Sequence, residues 1–266
     1  MTEPTANGGV TEQEIRERLK RVLREVRGGE GASGGTSLTP EKRQAVKHLL
    51  AHASPVMIAQ AEQELVAEGF TIQDLTSACD VHLELFREAA SETRFDLPQD
   101  HPISQFEIDH EVIFDALARL RAAVTRARTK PSLGAAAPEI ADMKGCAELL
   151  LAAENHNVRQ ENTLFPMLER YGIEQPPAIM WQEHADMRED KKLLAQALGE
   201  ATSLDDLVDS VEGLAVQLAE EFALHSRKER QILYPAALEL FTPEDWRDIK
   251  EECDNLGYFT RNLSQA

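Results

Sequence analysis

The chain has 266 residues, with 28 Lys and Arg against 47 Asp and Glu and a formal charge of −19, so it has no basic surplus to displace counterions from nucleic-acid phosphates. Hydrophobic residues at 42%, charged residues at 28% and only 5% aromatics suit a soluble protein of solvated helices and count against a β-rich core. No run of about 18 apolar residues occurs and the opening MTEPTANGGVTEQE has neither region of a secretion signal, so a cytoplasmic protein without membrane contact is expected. Cys79, Cys146 and Cys253 are far apart and odd in number, which reads as free thiols rather than a disulfide framework or a thiolate zinc site.

In chain order, TEQEIRERLKRVLREV repeats apolar residues at helical spacing and precedes GGEGASGGTS, Gly28 to Ser37, which has linker composition. Cap-and-proline starts at Thr39-Pro40 and Ser54-Pro55 predict two helices, the second stopping at Gly69, and a third runs from about Thr71. DLPQDHP then breaks the pattern. Four longer helical stretches follow, roughly Ile103–Ala127, Pro138–Tyr171, Pro177–Leu198 and Leu204–Leu240, joined by RTKPSLGAAAP, GIEQPP and GEATS. A closing helix starts at Thr242-Pro243, and nothing alternates with period two for long enough to make a strand. The expected class is therefore all-α. Residues 1–38 form a flexible N-terminus with one short helix, 39–97 a small helical domain, 98–241 an antiparallel up-and-down four-helix bundle, and 242–266 a C-terminal helix and tail.

At 100° per residue, each bundle helix sets a histidine on or beside its apolar stripe. His110 falls among Phe106, Ile113, Leu117 and Leu120, and His184 lies beside Trp181, Met187 and Leu194. His225 and Glu229 occupy the middle of the last inward face, while His156 and Glu161 fall on opposite edges of theirs. One histidine on an apolar face is ordinarily a satisfied core residue. Four imidazoles and two carboxylates inside one bundle need compensation, which a pair of cations gives directly. Donors of this kind, with no thiolate, suit iron, manganese or zinc.

HNVRQENTLFPML from His156 and HSRKERQILYPAAL from His225 form an internal repeat. Shifting the first by 69 residues superimposes the histidines and Pro166 on Pro235, but sets Gln160 on Glu229 and Glu161 on Arg230. In a regular helix an i+4 carboxylate lies about 40° from the histidine, an i+5 one about 140° away. With one histidine per helix, the stretch Asp100–Leu240 resembles the hemerythrin HHE cation-binding family, in particular its members that repair iron centres. The stretch from Pro40 to Glu92, above all LTSACDVHLELF, looks like the uncharacterised helical domain that often precedes HHE domains in prokaryotes.

The resemblance implies a hemerythrin-like bundle with two non-haem iron ions per chain, manganese or zinc being the alternatives. The implied ligands are His110, His156, Glu161, His184, His225 and Glu229, with two carboxylates bridging and an open position for a small ligand. Glu229 matches the H-x-x-x-E spacing and Glu161 only the H-x-x-x-x-acid spacing. The third bundle helix lacks the second histidine of the oxygen carriers, which counts against simple oxygen carriage. The expected function is binding of, or reaction with, oxygen, nitric oxide or peroxide, in stress defence or iron-centre maintenance. The alternatives are a gas, redox or iron sensor with a protein partner at the N-terminal helical domain, and a structural metal protein. Cys79 with His82 reads as packing and capping, His48 with His52 as a solvated helix face, and His101 as the start of its helix. Glu154 reads as surface, and Pro166 and Pro235 as bends.

Overall fold

A computed structural model describes residues 12–28, 49, 53–71 and 95–260. Every regular element among them is helical, and no helix among them is long and apolar enough to cross a membrane. The expected helix from Thr39 (Leu49 apart), the one from Thr71, the linker at Gly28–Ser37, and the pairs His48/His52 and Cys79/His82 lie outside the described residues. The chain divides into two units. One comprises 95–171, 180–227 and 241–260; the other comprises 12–28, 49, 53–71, 172–179 and 228–240.

In the second of these units, α1 (Glu12–Gly28) packs along α2 (Pro55–Ala67). Ser54 caps α2, its hydroxyl accepting from Met57 N at 3.2 Å ahead of Pro55. Arg16 reaches Gln60 at 3.0 Å, Lys20 reaches Glu64 at 2.6 Å, and Arg24 reaches Glu68. Both members of each pair advance by four residues, so the helices run parallel. Ile15 and Leu19 close on Ile58 and Ala61 beneath this ladder.

Four helical stretches contribute to the bundle, residues 175–179 and 228 of them being counted in the other unit. The stretches are α3 (Pro102–Ala127), then α4 (Ala137–Ala152) continued by α5 (Glu154–Arg159), a π-helical turn Gln160–Leu164 and α6 (Phe165–Arg170), then α7 (Gln175–Glu200) and α8 (Leu204–Lys228). After α8 the helix continues as a second π turn, Glu229–Leu233, and α9 (Tyr234–Leu240), and α10 (Pro243–Leu256) follows. Pairings across neighbours run in opposite senses. Arg126 meets Asp142 at 2.8 Å while the His110 and His156 rings lie 5.0 Å apart, and Gln217 meets Asp190 at 2.9 Å while His225 meets His184. Arg128 also reaches Asp209 at 2.8 Å, bringing the end of α3 to the start of α8. This is the antiparallel bundle expected from the sequence.

The apolar stripes meet in one core, with Leu120 and Val124 of α3, Leu150 of α4, Leu194 of α7 and Val211 and Leu218 of α8 at 0–2% exposure. Each such side chain contributes roughly 1.5–3 kcal/mol against leaving it in water. That core fills the bundle on one side of the histidine layer. α10 starts with a capping box in which the Thr242 hydroxyl accepts from Asp245 N and the Asp245 carboxylate accepts from Thr242 N at 2.9 Å.

The two π turns explain Pro166 and Pro235. Proline has no N–H and its ring collides with the carbonyl four residues earlier. In each case the helix widens by one residue ahead of the proline: Phe165 N bonds to Gln160 O, and Tyr234 N to Glu229 O. The two turns occupy equivalent positions in the 69-residue repeat. The sequence reading foresaw bends here, not π turns, which are rare and concentrate at functional sites.

Candidate metal centre

α3 begins at Pro102, where the His101 imidazole Nδ1 accepts from Ile103 N at 3.2 Å, so His101 serves the start of the helix as expected. Two turns on, Phe106, Asp109, His110 and Ile113 face inward, with Asp109 and His110 at 0% exposure. His156 and His184 are equally buried, and His225 is 1% exposed.

Three of the four imidazoles hydrogen-bond a carboxylate at Nδ1: Asp109 Oδ2 lies 3.2 Å from His156, Glu161 Oε1 3.0 Å from His184 and Glu183 Oε2 2.7 Å from His225. Glu107 Oε1 stands 3.4 Å from His110 Nδ1, at ion-pair range. Where a carboxylate accepts from Nδ1, the ring proton sits there and the Nε2 lone pair is left for another partner, the arrangement found behind metal-bound histidines. Between α7 and α8 the consequence is direct, because His184 Nε2 and His225 Nε2 face each other at 3.0 Å. Two lone pairs at that distance repel unless a positive charge lies between or beside them. An edge of about 3 Å is also what two nitrogens at roughly 2.1 Å from one ion subtend at a right angle. The donor set therefore fits a cation.

A collar of rings surrounds the imidazoles. Phe165 stacks on His184 at 5.5 Å, and Phe106 and Phe222 turn their edges to His156 at 5.2 Å and His110 at 5.5 Å. Such a collar excludes water and strengthens every charge interaction inside it.

Among the described residues, one ligand atom each from His110, His156 and Glu229 lies within 4.8 Å of the others, and the same holds for His184, His225 and Glu229. Glu229 is fully buried and stands one helical turn beyond His225; its Oε2 accepts from the Tyr234 hydroxyl at 2.5 Å. Five of the six expected ligands thus come together. The sixth, Glu161, has its carboxylate at His184 Nδ1 and 3.1 Å from Arg188 Nη2. Burial pushes its carboxyl above the usual carboxylate range, against the pull of Arg188. At the register of Glu229 the repeat places Gln160, which is fully buried. Glu154, expected at the surface, instead binds Arg188 at 2.5 Å and Lys191 at 3.4 Å with its side chain 22% exposed.

The sequence reading missed Glu107, Asp109, Glu183, Arg159 and Tyr234. A signal was present. Asp109-His110 and Glu183-His184 are acid–histidine pairs, and in each the acid holds the histidine of the next helix. Likewise the repeat sets Phe165 on Tyr234 where it sets Gln160 on Glu229, so the hydroxyl occurs where there is a carboxylate to receive it.

Compared with known families, residues 101–237 match the hemerythrin HHE cation binding domain, a stretch that contains all four histidines and Glu229. Residues 35–92 match a family of unknown function, DUF438. No curated protein matches the chain.

Proposed function

Since the chain belongs to the hemerythrin HHE cation-binding family, whose domain implies a bound metal, usually iron, we propose that its bundle holds two non-haem iron ions and that the protein binds or reacts with a small oxidant or gas, oxygen, nitric oxide or peroxide, in stress defence or iron-centre maintenance. His110 and His156 would hold one ion and His184 and His225 the other, with Glu229 within reach of both pairs. Glu161, which the resemblance implied as a second bridge, orients His184 from outside. The observation that carries this reading is the pair of Nε2 atoms facing at 3.0 Å with both Nδ1 atoms on carboxylates. Bound iron supplies a Lewis-acidic, redox-active position. The protein supplies imidazoles, one buried carboxylate and an apolar lining of Phe106, Phe165 and Phe222, which favours small neutral molecules over charged ones. The same donors accept manganese or zinc.

Anaerobically reduced, iron-loaded protein is expected to change its absorption within seconds to minutes of exposure to at least one of the three reagents. His110→Ala or Glu229→Ala is expected to abolish the change. Protein isolated with zinc, and indifferent to all three reagents after iron loading, would establish a structural metal site instead.

A further inference from the structure

Behind the His110–His156 pair lies a buried polar network with no part in holding the ions directly. Among the described residues, Arg159 heads the fully buried side chains in size. Its Nη2 donates to Asp109 Oδ2, its Nε donates to Asn155 Oδ1 at 3.2 Å, and its guanidinium lies 5.0 Å from the centre of the Phe106 ring and 4.5 Å from that of Tyr258. Asp109 Oδ2 also receives His156 Nδ1 at 3.2 Å, and its Oδ1 accepts from the Thr260 hydroxyl at 3.2 Å. Asn155 completes the frame, its Oδ1 accepting from Phe259 N at 3.2 Å and its Nδ2 donating to the Leu256 carbonyl at 3.1 Å.

The last residue of α10 and the short segment after it therefore enter this network four times, through the Leu256 carbonyl, the Tyr258 ring, Phe259 N and the Thr260 hydroxyl. It gets there because Gly257, at φ 79°, turns the chain in a conformation that a side chain would disfavour.

A buried arginine–carboxylate pair is a poor device for stability alone, since apolar residues of similar volume often do as well. What it can do is fix direction. The planar fork of Arg159, held beside two rings, prevents Asp109 Oδ2 from swinging away, and Oδ2 in turn fixes the proton and the plane of His156. We propose that Arg159, Asp109 and the segment Leu256–Thr260 form a positioning device for His156, so that cation binding at the His110–His156 pair depends on the seating of that segment while the His184–His225 pair does not. This inference rests on the metal reading above.

Zinc titration of metal-free, full-length protein carrying 15N-labelled histidine tests both and separates them, because NMR of the ring nitrogens follows each imidazole singly. In the unsubstituted protein all four rings are expected to respond by two equivalents of zinc, with His156 protonated on Nδ1 beforehand. In Asp109→Asn, the His110 and His156 rings are expected to need about 10- to 100-fold more zinc, the other two to titrate as before, and His156 to lose its fixed tautomer. Thr260→Val removes one hydroxyl and keeps the buried ion pair, so it covers the case in which Asp109→Asn does not fold; a several-fold weakening confined to the same two rings is expected. The proposal is overturned if the folded variants titrate like the unsubstituted protein with His156 unchanged, or if all four rings weaken together, which marks a general structural role. Rings that ignore zinc in the unsubstituted protein would remove the metal reading, and this inference with it.

Discussion

The most informative single residue is Gln160. Its place in the repeat is that of Glu229, and the residue at the place of Tyr234 is Phe165, so one half of the bundle offers a carboxylate with a tyrosine hydroxyl and the other a neutral amide with a phenylalanine at the equivalent place. Gln160→Glu would restore symmetry. Two buried carboxylates in one interior repel until a cation joins them, so the metal-free variant is expected to melt several degrees lower than the parent. With metal, it is expected to bind about tenfold more tightly in competition with a chelator, the scale on which ligand-sphere changes act. Glu161→Gln tests the other carboxylate: as an orienting partner of His184 its loss weakens the His184–His225 pair and leaves His110 and His156 alone. Equal weakening of both pairs would return Glu161 to the bridging role that the resemblance implied.

At the scale of elements, the π turns separate folding from function. Pro166 and Pro235 forbid a regular α-helix just where the inward face must present residues 160 and 229. Pro235→Ala would let Tyr234–Leu240 close up as ordinary helix and rotate Glu229 against His225. The expected result is a metal-free protein at least as stable as the parent, with cation affinity reduced about tenfold or more, read from thermal melting and chelator competition. A loss of stability with unchanged affinity would show the π turn to be a packing adjustment only. Elsewhere the elements stop and start where local chemistry says they should: Ser54-Pro55, His101-Pro102 and Thr242-Pro243 each supply a side-chain acceptor and a pre-set φ at the first turn.

For the whole molecule, bound cations are the natural balance for the polar layer that interrupts the apolar core. A ligand that binds only the folded state stabilises it by RT ln(1 + [L]/Kd), about 4 kcal/mol at a thousandfold excess over Kd. Stripping the metal is therefore expected to lower the melting temperature by several degrees, and His225→Ala to lower both metal content and melting temperature, whereas a protein unchanged in both would exclude a metal in the bundle. How much of this was legible beforehand follows from the range of the interactions concerned. Helix limits, the apolar stripes and one histidine per helix are set by residues three or four apart in the chain, so the all-α class and the position of the bundle helices could be read from the sequence, and His110, His156, His184, His225 and Glu229 could be named from it as candidates. The carboxylates behind the imidazoles come from neighbouring helices, the Arg159 frame is closed by a segment about 100 residues further on, and the π register arises only when proline meets a packed turn. Those features depend on which helices lie side by side and in what register, a choice made by burial of the whole core, and they become visible in the folded chain alone.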